Sequence, residues 1–199
     1  DLYGDIGNIK VLKYRLEQRG YTATIDKYSI NDGKPDFKNY DIIFAGGGAD
    51  NEQKILSDDL AKYKEEIKQA VEEGVFFLLI EDRSKRCIGN IVIEVNLENK
   101  PVKIIGFGNH GGQTYGIETP FGKVLYGNGN KFGDEYEGYM TQNVIATYLH
   151  GPLLSKNPEL TDYIIKKCIN RKYKEQIELE PLNDELENKC REQLIQRFL

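Results

Sequence analysis

This chain is short of the residues that build metal centres and disulfide frameworks. Its three cysteines, Cys87, Cys168 and Cys190, are too widely spaced for a zinc pattern or a set of paired bridges. Two histidines exclude a histidine-rich metal site. No apolar run reaches membrane-spanning length, and the longest, Val75 to Ile80, suits a buried strand. The basic excess of a nucleic-acid-binding surface is missing too, since the formal charge is −5. Repeats and low-complexity tracts are absent. What is present, 199 residues with 39% hydrophobic and 30% charged, describes one domain, 1–199, with a sizeable core and a polar surface. The cysteine usage points to a reducing compartment, the cytoplasm.

The chain opens Asp1-Leu2-Tyr3-Gly4-Asp5, without an initiator methionine, and reads as though a first strand had been cut away. Ile9, Leu12 and Leu16 recur at helical spacing up to Gly20, with Asp5 or Asn8 as the cap. Tyr21 to Ile30 alternates and predicts a strand, and Asp32-Gly33-Lys34-Pro35 predicts a turn. Tyr40 to Ala45 is a short buried strand running into Gly46-Gly47-Gly48. A long helix is expected from Asn51 to about Glu73, with Ile55, Tyr63, Ile67 and Val71 inward and Gly74 as its stop. Val75 to Ile80 is the next strand. This order is the start of a doubly wound α/β domain with a mostly parallel sheet. Further strands are expected at Ile88 to Val95, Val102 to Gly108, Lys123 to Tyr126 and Met140 to Leu149, the first two antiparallel. The end is helical: Pro158 opens one helix with a Leu160, Ile164 and Cys168 stripe, and Leu186, Cys190 and Leu194 mark another. Both cysteines read as core-facing thiols.

Three places carry chemistry. Val144 to Leu149 delivers His150 to the end of an apolar run, where Gly151-Pro152 turns the chain. Ligands collect beyond the carboxyl ends of strands in open α/β sheets, so His150 reads as a general base or as a strand-end histidine satisfied by backbone. The Gly46-Gly47-Gly48-Ala49-Asp50 loop reads as an anion-holding nest or as a tight turn capped by Asp50. His110, in Asn109-His110-Gly111-Gly112, reads as a ligand contact or, better, as a turn histidine bonding local backbone. The pattern then breaks at Ile80. The connector Glu81-Asp82-Arg83-Ser84-Lys85-Arg86 is too short for a parallel crossover, so either the sheet turns antiparallel or residues are absent between Ile80 and Glu81. Absence is the expectation.

Several stretches, in order, resemble the CobB/CobQ-like class I glutamine amidotransferases: Leu2-Tyr3-Gly4-Asp5-Ile6-Gly7-Asn8, Gly46 to Gln53, Gly106-Phe107-Gly108-Asn109-His110-Gly111-Gly112, Thr147 to Leu154, and Lys156-Asn157-Pro158-Glu159-Leu160. The resemblance implies a flavodoxin-like three-layer sandwich and a Cys–His glutaminase. The ammonia would go to a Mur-ligase-like (MurT-like) partner that amidates D-glutamate of lipid II to D-isoglutamine in peptidoglycan synthesis. ATP and Mg would belong to that partner, with no cofactor here. It further implies His150 as the catalytic histidine, backbone at Gly47 and Gly48 on the oxyanion side, and Arg86 gripping the glutamine carboxylate. The family's cysteine elbow is missing at Ile80, and its first strand before Leu2 is missing as well. Gly108 stands where the family tends to have an acid, and Gln113 where it tends to have Arg. Cys87 lacks elbow geometry, although Lys85 and Arg86 would lower a thiol pKa there. Two other readings stay open: a catalytically dead scaffold that binds a ligase, and a phosphate binder in which His150 is incidental.

Overall fold

The structure, a computed structural model, describes residues 6–30, 32–47, 50–80 and 87–199, with the side chains of 50–53 left aside. The Leu2 to Asp5 stretch, Gly48, Ala49, the Asp50 cap, Lys85, Arg86 and the junction of Ile80 with Glu81 lie outside what is described. The elements run α1 (Ile6–Glu17), β1 (Ile42–Ala45), α2 (Asp50–Ala61), α3 (Lys64–Glu72), β2 (Phe76–Ile80), β3 (Cys87–Leu97), β4 (Lys100–His110) and β5 (Gly122–Tyr126). Then come β6 (Tyr136–Glu137), β7 (Tyr139–Met140), β8 (Val144–Thr147), β9 (Leu149–His150), α4 (Leu153–Lys156), α5 (Pro158–Tyr173) and α6 (Glu185–Phe198).

Among the described residues the strands form two sheets rather than one. The first has the order β1-β2-β8-β7, with β1, β2 and β8 parallel and β7 antiparallel at the edge. The second is antiparallel, in the order β6-β5-β3-β4-β9. This is the expected mixed α/β class, with the antiparallel strands segregated into a sheet of their own.

A strand covered on both faces must be apolar throughout, and β2 is. Phe76 and Leu78 pack with Leu12 of α1 and with Leu160 and Ile164 of α5. Phe77 and Leu79 pack on the opposite face with Ala70, Ile67 and Val71 of α3. Every second residue of β3 (Ile91, Ile93, Val95, Leu97) joins the first of these cores, so one apolar interior lies beneath both sheets. The β3–β4 hairpin closes through Glu98 and Asn99 at φ +49° and +65°, the paired left-handed residues of a tight two-residue turn.

Four expectations need correction. Tyr21 to Ile30 is not a strand: among the described residues β1 pairs only with β2 and the segment has no ladder partner, and Ile25, Tyr28 and Ile30 are exposed. The single helix from Asn51 to Glu73 is two. Tight turns, Lys62 N–H to Asp59 O and Tyr63 N–H to Leu60 O, bend it where Tyr63 packs on Phe37, and Ile55 is exposed. Asn8 is no cap but a fully buried residue inside α1. On α6, Leu186 and Cys190 face solvent and the buried residue is Arg191, held by Glu159. Gly20 and Gly74, at φ +77° and +88°, do end their helices as expected.

Candidate active site

Parallel register brings three strand ends together. Ala45 pairs with Leu79, Leu79 with Ala146, and Ile80 with Thr147. Gly46 and Gly47 therefore leave the sheet beside the point where β2 stops, and β8 stops beside it on the other side. The expected elbow position, after Ile80, is the middle of these three ends.

Beyond Thr147 the run expected as one strand from Met140 to Leu149 changes sheet. Tyr148 is the crossover, and Leu149 and His150 pair antiparallel with Gly108 and Phe107 of β4. His150 is buried, at 1% exposure, three residues past the end of parallel β8. Gly151 turns the chain at φ +90°, a left-handed conformation that favours glycine. A Cβ there would meet Lys156 Nζ at 3.4 Å, and burial pushes that ammonium's pKa down.

The motifs singled out in the sequence meet around this turn. Gly7 lies against Pro152, where a Cβ would come within 2.6 Å of the proline ring. Asn8 Oδ1 accepts the Leu154 N–H at 2.8 Å, so α1 and α4 hold the turn from behind. Asn157 fixes it to the second sheet: its side chain accepts from Ile105 N–H at 2.9 Å and donates to Ile105 O and Leu153 O at 2.8 and 2.7 Å. Gly106 leaves room for Leu149, since a Cβ on it would stand 2.7 Å from the Leu149 Cβ. At Gly108, where an acid was expected, a Cβ would meet Ile91 Cδ1 at 2.5 Å, so Ile91 occupies that space.

His110 ends β4 instead of sitting in a loop. It is buried, stacked on Tyr148 at 3.9 Å between ring centres, and its Nδ1–H donates to Gly112 O at 2.9 Å. That carbonyl can only accept, which assigns the proton to Nδ1. Tyr148 OH in turn lies 2.5 Å from Thr114 Oγ1. The backbone bond expected of His110 is there.

Glu137 was not foreseen. It is fully buried, and its Oε1 accepts from Thr147 Oγ1 and from Tyr148 N–H, both at 2.7 Å. Burial pushes its carboxyl up to about 7, against the pull of those two donors and of His150. An isolated Glu in Tyr136-Glu137-Gly138 carries no periodic signal, so only the fold reveals it.

The cysteines do not supply a nucleophile. Cys87 pairs with His110 in the β3–β4 ladder and is buried, and burial raises its thiol pKa. Cys168 contacts Asp41 O, and burial pushes it up to about 12. Cys190 is exposed on α6, far in sequence from the strand ends. Gly46 and Gly47 line a cleft of about 540 Å³ with Tyr28, Phe37, Leu60 and Tyr63. Among the described residues no cluster of three or more His, Cys, Asp or Glu could hold a metal ion, and no helix is long and apolar enough to cross a membrane.

Comparison with known proteins identifies the family. The CobB/CobQ-like glutamine amidotransferase domain matches in two stretches, residues 1–80 and 78–158. The chain is similar to the lipid II isoglutaminyl synthase (glutamine-hydrolyzing) subunit GatD of Staphylococcus aureus (strain N315), with 35% identity over 228 positions, 99% of this chain and 91% of that protein. It is also similar to the GatD subunit of Streptococcus pneumoniae (strain ATCC BAA-255 / R6), with 35% identity over 221 positions, 96% of this chain and 85% of that protein. The chain belongs to the CobB/CobQ-like glutamine amidotransferase family.

Proposed function

We propose that this chain is a glutaminase subunit that hydrolyses L-glutamine and hands ammonia to a MurT-like ligase, which amidates D-glutamate of lipid II to D-isoglutamine. The observation that carries it is the register that sets the ends of β1, β2 and β8 together, Ala45 beside Leu79 and Ile80 beside Thr147, with His150 just beyond. A nucleophile after Ile80 would stand between a glycine loop and a histidine. That is the arrangement acyl transfer through a thiol needs.

The nucleophilic cysteine belongs to residues between Ile80 and Glu81. Support comes from the two stretches of family match, which meet at that point. The alignment with the S. aureus subunit also runs over 228 positions, where this chain has 199 residues. In the reaction His150 takes the thiol proton, and the thiolate attacks the side-chain amide carbon of glutamine. The oxyanion is held by backbone N–H groups of the Gly47-Gly48 loop. His150 then gives its proton to the departing ammonia, leaving a thioester. The same histidine, now neutral, activates water to release glutamate. Arg86 grips the glutamine carboxylate as a planar fork. No cofactor acts in this subunit, ATP and Mg act in the ligase, and both work at the cytoplasmic side of the membrane.

Reconstitution with the ligase partner tests this. His150→Ala should abolish glutamine-driven amidation and spare amidation driven by added ammonia, because only the first needs this subunit's chemistry. Equal loss of both would point to a scaffold that binds the ligase without hydrolysing glutamine.

A further inference from the structure

The chain passes between its two sheets twice beside His150. It goes from the second sheet to the first at Gly138, between β6 and β7, and returns at Tyr148, between β8 and β9. Both passages are buried, and both are pinned by side chains. Asn130 holds the first, accepting Gly138 N–H at 2.7 Å and donating to Gly138 O at 3.2 Å. Glu137, the residue just before that passage, holds the second. Its Oε1 takes the Thr147 hydroxyl and the Tyr148 N–H, and Thr147 Oγ1 takes the Leu149 N–H at 3.1 Å. One carboxyl oxygen thus governs three consecutive residues immediately before His150.

We propose that Glu137 is a positioning residue for the glutaminase reaction, tying the two sheet-to-sheet passages together so that His150 is aimed at the strand ends. The proposal rests on the glutaminase reading for its catalytic meaning, but the tie itself does not depend on it. A simple structural clamp needs no acid, since an amide would accept the same two bonds. The second carboxyl oxygen, Oε2, is buried and has no hydrogen-bond partner among the described residues. The imidazolium that forms when the thiol is deprotonated favours ionisation of this carboxyl, so an acid protonated at rest becomes a negative partner for His150 during the reaction, and an amide cannot. Thr147, the Tyr148 N–H and His150 are the groups that act on this carboxyl from the elements packed against it.

Glu137→Gln separates the two roles, because it keeps the acceptor and removes the charge. With only two histidines in the chain, His150 can be followed by NMR with His110 as an internal reference. In the folded variant the His150 ring signals should shift while those of His110 stay put. In the complex with the ligase, kcat for glutamine should fall roughly 10- to 100-fold with KM unchanged, as when an outer partner of a metal-bound histidine is removed. If Glu137→Gln unfolds the chain, Thr147→Val removes one tie and leaves the acid, and Thr147→Ser restores it. The first should displace the His150 ring signals and the second should return them. An unmoved His150 in folded Glu137→Gln, or in Thr147→Val, overturns the proposal. A moved His150 in a complex that never hydrolyses glutamine leaves the tie standing and removes the glutaminase reading.

Discussion

At the scale of single residues, the histidine turn is a set of fits with little slack. Gly106 shows this best, because the atom its missing Cβ would strike is the Leu149 Cβ, one bond from the backbone and unable to swing away. Gly106→Ala should therefore push β9 aside, at a cost of roughly 1–3 kcal/mol for an overpacked site. Urea denaturation reads the loss of stability, and a midpoint equal to that of the unsubstituted chain would show that β9 yields freely. Glu137 gives a pH dependence of definite sign. Its carboxyl is raised from 4.5 to about 7, so the folded chain holds that proton more tightly than the unfolded one. Below about pH 4.5 the group costs nothing. Between there and about 7 stability is lost because the unfolded chain sheds this proton while the folded chain keeps it, by about 3 kcal/mol in all. Glu137→Gln has no proton to lose, so its melting temperature should gain on the parent's from pH 4.5 to 7.5. A difference that stays flat across that window would show that the acid is not held protonated.

At the scale of elements, Asn157 joins three of them with one side chain, linking the ends of α4 and α5 to β4 through both backbone groups of Ile105. Removing it takes a partner from one backbone N–H (Ile105) and from two carbonyls (Ile105 and Leu153), and each buried group left unsatisfied costs about 1–3 kcal/mol. Asn157→Ala should lower the urea midpoint accordingly with an unchanged slope, and a shift under about 0.5 kcal/mol would mean that water replaces it. Elements with a strong local pattern were legible in the sequence. Phe76–Ile80 is apolar because both its faces are covered, and Ile93 to Leu97 of β3 alternates because Glu94 and Asn96 face solvent there. Elements decided by distant partners were not. Val144 to Leu149 is one apolar run in the sequence, yet the Thr147 and Tyr148 ties to Glu137 divide it between two sheets. Tyr21 to Ile30 alternates well but finds no neighbour to pair with. Residues 51–73 keep helical spacing across a bend that Tyr63 makes by packing on Phe37. His150 was legible as a candidate because a histidine ending an apolar run is rare. Glu137 was not, because its partners lie ten and eleven residues away, on another strand and the crossover after it.

At the scale of the molecule, two sheets share one apolar interior, and the passages between them converge where three parallel strands end. The proposed reaction puts its nucleophile at that convergence, and no cysteine of the sequence fills the role: Cys87 is buried in the β3–β4 ladder beside His110, Cys168 faces Asp41 O and Cys190 is exposed on α6. The glutaminase reading therefore depends on a cysteine between Ile80 and Glu81, and intact mass is the direct test. The purified chain should be measured before and after treatment with an electrophilic glutamine analogue. The expected result is a mass well above 22.8 kDa and a single adduct, mapped to a cysteine following Ile80. A mass of 22.8 kDa with no adduct would contradict it and leave a binding scaffold in its place.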